Sequence, residues 1–245
     1  MSDLVFIGTS DAFGSGGRRQ SANFLRAPGG GVLLDCGMTT GTGLCDLGIE
    51  RNEIDAILVS HFHADHFGGI PPLLLAALYE DERRQPLQIA GPPGIQRWVH
   101  NLAAAMGYAI EDREWPFQIN FHELLPGMVQ EIGPVRVESF ETHHQWHTHP
   151  HGLIVETGAH RIAYSGDTGW FDELPKLVAG SELFISECTN HLDTFEYHLS
   201  HEILVERKGL FDCGRIILTH LGSEMSDRRG ECDFETADDG LVIKL

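Results

Sequence analysis

Residues 57–66 read Ile57-Leu58-Val59-Ser60-His61-Phe62-His63-Ala64-Asp65-His66. An apolar, buried-type strand that stops on four metal-binding side chains constrains this chain more than any other feature. Imidazole and carboxylate are donors that suit zinc, iron and manganese. His61 and His63 stand at i and i+2, so an extended turn points both the same way and one ion can take both. Asp65 and His66 lie beyond the bend, within reach of a second ion. So short a motif cannot complete two coordination shells, and a rigid frame must bring the remaining donors from elsewhere.

Three later segments have the same form, an apolar strand followed by polar residues. They are Val137-Glu138-Ser139-Phe140-Glu141-Thr142-His143-His144, Ala163-Tyr164-Ser165-Gly166-Asp167-Thr168-Gly169 and Ile217-Leu218-Thr219-His220-Leu221-Gly222. A ligand just past the end of each strand is expected to set all of them along one sheet edge.

The rest of the pattern is rich in hairpins. Strands are expected at Leu4–Ile7, Ala22–Arg26, Gly31–Leu34, Ile54–Ser60 and Leu87–Ala90. Others follow at Phe117–Glu123, Val135–Phe140, Leu153–Glu156, Arg161–Tyr164, Leu183–Ser186 and Arg215–Leu218. Ile70–Arg83 reads as a helix with Pro71 and Pro72 in its first turn, where a missing N–H costs little. Ile95–Met106 carries apolar residues at 95, 98, 99, 102, 103 and 106, a helical stripe. Shorter helices are expected at about 172–179 and 200–209. This is an α/β (α+β) pattern without strict βαβ alternation. It points to two mixed sheets packed together with helices outside, an αββα sandwich. No linker, low-complexity run or fixed repeat interrupts it, so one domain is expected over residues 1–245.

Charge narrows the partners. Lys and Arg total 17 against 36 Asp and Glu, a net charge of −19. Phosphate-backbone binding rests on Lys/Arg neutralisation, so nucleic acid and a membrane surface are disfavoured. A small anionic substrate fits better, because two divalent ions outweigh the two aspartates beside them. The diffuse surface charge is screened within ~8–10 Å. The five cysteines (Cys36, Cys45, Cys188, Cys213 and Cys232) form no C-x-x-C, and Met1-Ser2-Asp3-Leu4-Val5 lacks a basic n-region. Free, mostly buried thiols and a cytoplasmic location are expected. A second copy of the chain stays open as a partner, as a homodimer.

The glycine-rich loop Phe13-Gly14-Ser15-Gly16-Gly17-Arg18-Arg19 offers backbone N–H groups and two guanidinium groups to an anion. It lacks G-x-x-x-x-G-K-[ST] and is no nucleotide P-loop. Arg18 and Arg19 are its substrate-binding candidates.

Taken in order, these motifs resemble the metallo-β-lactamase superfamily, from Phe6-Ile7-Gly8-Thr9 to His220. Gly8-Thr9-Ser10, Arg18-Arg19, Asn23 and Leu34-Asp35-Cys36-Gly37 are similar to the branch of tRNA 3′-processing endonucleases and cyclic-phosphate phosphodiesterases. The resemblance implies an αββα fold and a dinuclear site, with zinc expected and manganese or iron compatible. His61, His63 and a histidine of the 143–144 pair would bind one ion. Asp65, His66 and His220 would bind the other, and Asp167 would bridge. The family's ligand stands four residues after an aromatic like Phe140, which selects His144. Asp65 is also carried as a catalytic residue, and Asp35 as a structural one. His198-Leu199-Ser200 is similar to a His-x-Ser/Thr that donates a proton to the leaving group, which makes His198 the candidate acid. Glu187 is open between an orienting carboxylate and a plain surface one. His147, His149 and His151 are read as a loop over the site, with His191 and His201 as lesser candidates.

The expected function is a metal-dependent hydrolase whose metal-bridging hydroxide attacks, foremost, a phosphodiester. Lactone, thioester or β-lactam hydrolysis remains open because the fold hosts several chemistries. So do tRNA 3′ processing and an iron-dependent oxidoreductase. No long Gly/Pro- and Lys-rich arm of the kind that holds tRNA is found. A non-catalytic metal binder ranks low, since every motif position is filled.

Overall fold

The computed structural model describes residues 2–245. Its first half holds β1 (Asp3–Gly8), β2 (Ala22–Ala27), β3 (Gly30–Leu34), α1 (Thr40–Asp46), β4 (Ile54–Leu58), α2 (Ala64–Phe67), α3 (Ile70–Tyr79), β5 (Leu87–Gly91), α4 (Ile95–Ala105) and β6 (Ile119–Glu123). The second half holds β7 (Val129–Ile132), β8 (Val135–Glu141), β9 (His151–Thr157), β10 (His160–Tyr164), α5 (Leu174–Leu177) and β11 (Leu183–Glu187). It continues with α6 (His201–Arg207), β12 (Arg215–Thr219), α7 (Ser223–Asp227), β13 (Glu235–Thr236) and β14 (Val242–Lys244).

The strands form two seven-stranded mixed sheets, ordered β14-β1-β2-β3-β4-β5-β6 and β13-β12-β11-β10-β9-β8-β7. In the first, β3 to β6 run parallel; in the second, β10 to β13 do. Alternation along each strand builds the layers. On β1, Leu4 and Phe6 turn to the second sheet, where they join Leu34, Leu58, Val137, Leu153, Tyr164 and Ile185 in one buried cluster. Val5 and Ile7 turn the other way, onto Leu44, Leu74, Ile95 and Val99 of the helices. On the far side, Phe140, Ile154, Phe184 and Leu218 are covered by Leu174, Leu204 and Met225. The result is the expected αββα sandwich. Each such buried aliphatic or aromatic side chain contributes about 1.5–3 kcal/mol.

Most expected elements lie within a few residues of their observed bounds, and both prolines sit at the start of α3. Six short elements escape a pattern reading: α1, α2, α7, β7, β13 and β14. α1 is Thr-Gly-Thr-Gly-Leu-Cys-Asp, poor in helix formers. It forms because Leu44 is buried and Gly43 lies so close to Ile7 that a Cβ would stand 2.4 Å from its Cγ2. β7 and β14 are too short to show a period. Two of the five thiols, Cys36 and Cys188, are buried; Cys45 is exposed and Cys213 and Cys232 are half-buried, fewer buried than expected. No helix among the described residues is long and apolar enough to cross a membrane.

Strand polarity positions the site. β3, β4, β8, β10, β11 and β12 all end on the same rim of the sandwich, and the residues just after them are Asp35, His61, His144, Asp167, Cys188 and His220. The donors therefore do not line one sheet edge, as the strand pattern suggested. They straddle the seam between the two sheets, because the parallel halves of both point their C-terminal ends the same way.

Candidate metal centre

The turn after β4 brings His61 and His63 to the seam, and α2 starts at once to carry Asp65 and His66. Asp167 follows Gly166, which stands at φ 57 with His151 O only 2.7 Å from where a Cβ would be. Only glycine can make that turn so close to a neighbouring backbone. His220 and Asp35 are themselves at φ 54 and φ 62. Such positions cost non-glycine residues about 1–3 kcal/mol each and persist where the surroundings over-determine them.

Two donor groups result. In the first, His63 Nδ1 lies 3.1 Å from His61 Nε2 and 3.3 Å from His144 Nε2. Asp167 Oδ2 is 3.7 and 3.9 Å from those two Nε2 atoms. In the second, His66 Nε2 and His220 Nε2 are 3.3 Å apart, and each is 3.3 Å from Asp65 Oδ2. Asp167 Oδ1 lies 3.3 and 3.4 Å from the same pair. Asp167 thus turns one oxygen into each group.

These spacings fit a cation. Ligands about 2.0–2.1 Å from a tetrahedral ion stand roughly 3.3–3.4 Å from one another. Four histidines also have their Nδ1 atoms engaged elsewhere, which leaves Nε2 facing inward. His61 Nδ1 meets Ser60 Oγ (3.0 Å), His66 Nδ1 meets Asp35 Oδ2 (2.6 Å), His144 Nδ1 donates to Tyr197 O (2.8 Å) and His220 Nδ1 meets Thr189 Oγ1 (2.8 Å). Inward-facing lone pairs at 3.1–3.3 Å repel unless a cation or proton lies between them. Asp167 Oδ1 is buried without a hydrogen-bond partner. A third cluster, Glu187, His198 and His220, also has its donors close together. There the Glu187 carboxylate is already saturated, by Thr168 N, Thr189 N, Thr189 Oγ1 and His198 Nδ1, so it has no need of an ion.

Charge is arranged accordingly. Burial opposes ionisation of Asp167, yet His220, His66 and His61 hold its carboxyl well below the usual range. Burial likewise opposes a charge on His66, and Asp167, Asp65 and Asp35 override it, pushing the pKa well up. Burial prevails at His61, His63 and His144, whose pKa values are lowered. The second group favours positive charge and the first presents neutral imidazoles.

His144, not His143, enters the first group. The His143 side chain is exposed, while its backbone N–H donates to Thr168 Oγ1 and its carbonyl accepts from Gly169 N. His147 and His149 are exposed and His151 is buried, its pKa pushed down to about 4 by burial and His149. Among the described residues none of the three joins a cluster able to hold an ion. His191 and His201 stack on each other at 5.5 Å, and among the described residues neither joins such a cluster.

The donor groups open into a cavity of about 510 Å³, within the range of small-molecule sites. His198 lines it, as the sequence suggested. Arg18 and Arg19 do not. Arg18 is buried against Ser226 Oγ, Leu221 O and Ser15 O. Arg19 donates to Ile7 O (2.7 Å) and Asp46 (3.1 Å). The loop's expected anion cradle is filled by its own Asp11, whose Oδ1 accepts from Phe13 N and Ser15 N, both at 3.1 Å. Positive φ at Gly14, Gly16 and Gly17 turns the arginines inward and leaves Phe13 at the cavity, 92% exposed. Phe195 lines the same cavity. Sequence reading missed both aromatics, since a single exposed Phe in a loop carries no period.

The family model described as "Anti-Pycsar protein Apyc1" matches residues 2–236. The chain belongs to the Anti-Pycsar protein Apyc1 family. The protein named Ribonuclease Z of Methanothermobacter thermautotrophicus is 28% identical to this Apyc1-family chain, covering 97% of it and 91% of the relative. The structure of human tRNase Z, short form, is 26% identical with a TM-score of 0.78, covering 99% and 98% of the two chains. The metallo-β-lactamase fold protein YhfI from Bacillus subtilis is 20% identical with a TM-score of 0.79, again covering 99% and 98%. The Apyc1-family chain is thus a metal-dependent hydrolase of metallo-β-lactamase fold, in the tRNA 3′-processing and phosphodiesterase branch. Two of these relatives are nucleases by name, which runs against the expectation that nucleic acid is disfavoured. Net charge averages over the whole surface, and what a substrate meets is the field of the centre.

Proposed function

We propose that this chain, as one hydrolase domain over residues 1–245, cleaves a phosphodiester bond in a small anionic substrate with the help of two divalent ions, zinc in the first instance. His61, His63 and His144 would hold one ion, Asp65, His66 and His220 the other, and Asp167 both. When bound, such ions lower the pKa of coordinated water from 15.7 to about 7 and stabilise charge developing on the substrate.

The observation that carries this reading is the His198–Glu187 pair. His198 Nδ1 lies 2.7 Å from Glu187 Oε1, so its Nε2 is the nitrogen left for the cavity. Burial disfavours a charge on His198, but Glu187 overrides it and raises the pKa to about 9. A protonated imidazole beside a hydrolytic centre supplies the proton that an alkoxide leaving group needs. Glu187 stays in place because two backbone N–H groups and the Thr189 hydroxyl donate to it. Cleavage of a phosphodiester expels an alkoxide, which needs such an acid more than the thiolate expelled from a thioester does.

Cleavage of RNA is the second reading, favoured by the nuclease names among the relatives. One experiment separates the two. Protein of measured metal content is given a cyclic phosphodiester, an aryl phosphodiester, precursor tRNA, a phosphomonoester, a lactone and a thioester. Turnover of the small phosphodiesters is expected. Faster cleavage of precursor tRNA, with steeply salt-dependent binding, would transfer the assignment to RNA. Turnover of the lactone or thioester alone would overturn it.

A further inference from the structure

Asp35 is fully buried at the end of β3 and faces both donor groups from behind. Its Oδ1 accepts from Ser60 N at 2.7 Å. Its Oδ2 has three donors: Ser60 Oγ at 2.8 Å, His66 Nδ1 at 2.6 Å and Tyr164 Oη at 2.6 Å. A carboxylate oxygen has about two lone-pair sites, so the three compete. Ser60 Oγ also lies 3.0 Å from His61 Nδ1. With its single proton given to Asp35, that hydroxyl can only accept from His61. One carboxylate therefore backs a histidine in each group, His66 directly and His61 through Ser60.

Tyr164 is the competitor that serves neither group. Its ring is packed between the sheets, and burial, with Asp35 beside it, keeps the phenol protonated by pushing its pKa well up. It is a permanent donor to Asp35. A carboxylate behind a ligating imidazole raises that ligand's basicity and fixes its orientation. A hydroxyl on the same oxygen draws part of that charge away.

We propose that Tyr164 is a positioning residue that limits the pull of Asp35 on His66 and His61, and thereby sets how tightly the two donor groups hold their cations. This rests on the reading of those groups as cation sites. It carries a sign: removing the hydroxyl should tighten metal binding, whereas a merely structural tyrosine would leave affinity unchanged or weaken it.

The test is a chelator-competition titration of the full chain with Zn²⁺, reading both affinities and the rate of ion loss, for wild type and Tyr164→Phe. The variant keeps the ring, so the packing between the sheets is retained. Severalfold tighter binding and slower ion loss are expected, less than the ~10–100-fold typical when a partner touching the ligand itself is altered. Unchanged or weaker binding by the folded variant overturns the proposal. Should Tyr164→Phe fail to fold, fluorotyrosine is incorporated at all four tyrosines, making Tyr164 a stronger donor. Weaker Zn²⁺ binding is then expected, and tighter or unchanged binding overturns the proposal. A wild-type chain that binds no divalent ion sinks the cation reading as well; one that binds two, with Tyr164→Phe unaltered, sinks the tyrosine proposal alone.

Discussion

The two donor groups are neighbours that share Asp167, yet they are built differently. The first sets three imidazoles around one carboxylate oxygen, and its outer partners are neutral, the Ser60 hydroxyl and the Tyr197 carbonyl. The second sets two imidazoles against two carboxylates and is backed by a third, Asp35. Its other histidine rests on Thr189, whose hydroxyl is tied to Glu187. Negative charge favours a divalent ion, so the second group should hold its ion more firmly and the first should exchange more readily. The pKa directions point the same way, since protons are drawn to His66 and His220 but not to His61 or His144.

The comparison breaks most completely at the residue the groups share. Asp167→Ala removes an oxygen from each, and metal content should fall in both while turnover drops to background. Elemental analysis beside a phosphodiester assay reads this directly. A variant that keeps two ions per chain and full turnover would refute the assignment of every ligand built around Asp167.

His198 lies outside both groups, and its loss should therefore separate chemistry from metal binding. His198→Ala is expected to lower kcat by about 10²–10⁴-fold, the usual worth of a positioned acid. Metal content should stay at the wild-type value. Loss of an ion along with activity would move His198 from the acid role into the ligand set.

A finer cut falls within the first group. His144→Ala should release the more weakly held ion and leave the other, whereas His143→Ala should release neither. Zinc analysis after gel filtration distinguishes them. Retention of two ions by His144→Ala would mean that the first group is completed by another residue.

How much of this was legible in the chain follows from the kind of signal each part leaves. His61, His63, Asp65 and His66 announce themselves because four donors crowd one strand end. Asp167 and His220 show through the same strand-then-polar grammar, and the layered sandwich shows through its strand spacing. The arginines failed for a conformational reason: Gly14, Gly16 and Gly17 at positive φ reverse the loop, and no one-dimensional reading says which way a side chain then points. α1 failed because tertiary contact with Ile7 overrides the poor propensity of Thr-Gly-Thr-Gly. Tyr164 reads as one more core aromatic, and only its 2.6 Å contact with Asp35 shows that its hydroxyl matters.

The smallest effect concerns pH. Burial works against a charge on His198, and Glu187 more than offsets it, holding the pKa near 9 against an ordinary 6.5. The acid form is complete below that value and is lost as pH rises through it, so kcat should fall on an alkaline limb. Glu187→Gln keeps a side chain of the same shape but removes the negative charge that raises the pKa. The limb should then move toward neutral pH, with kcat in the acid range changed little and metal content not at all. Because Glu187 also anchors Thr189, which supports His220, a loosened second ion is the competing outcome. A kcat profile recorded at saturating Zn²⁺ tells them apart: a shifted limb assigns Glu187 to the proton donor, and an unshifted limb with zinc-dependent turnover assigns it to the metal.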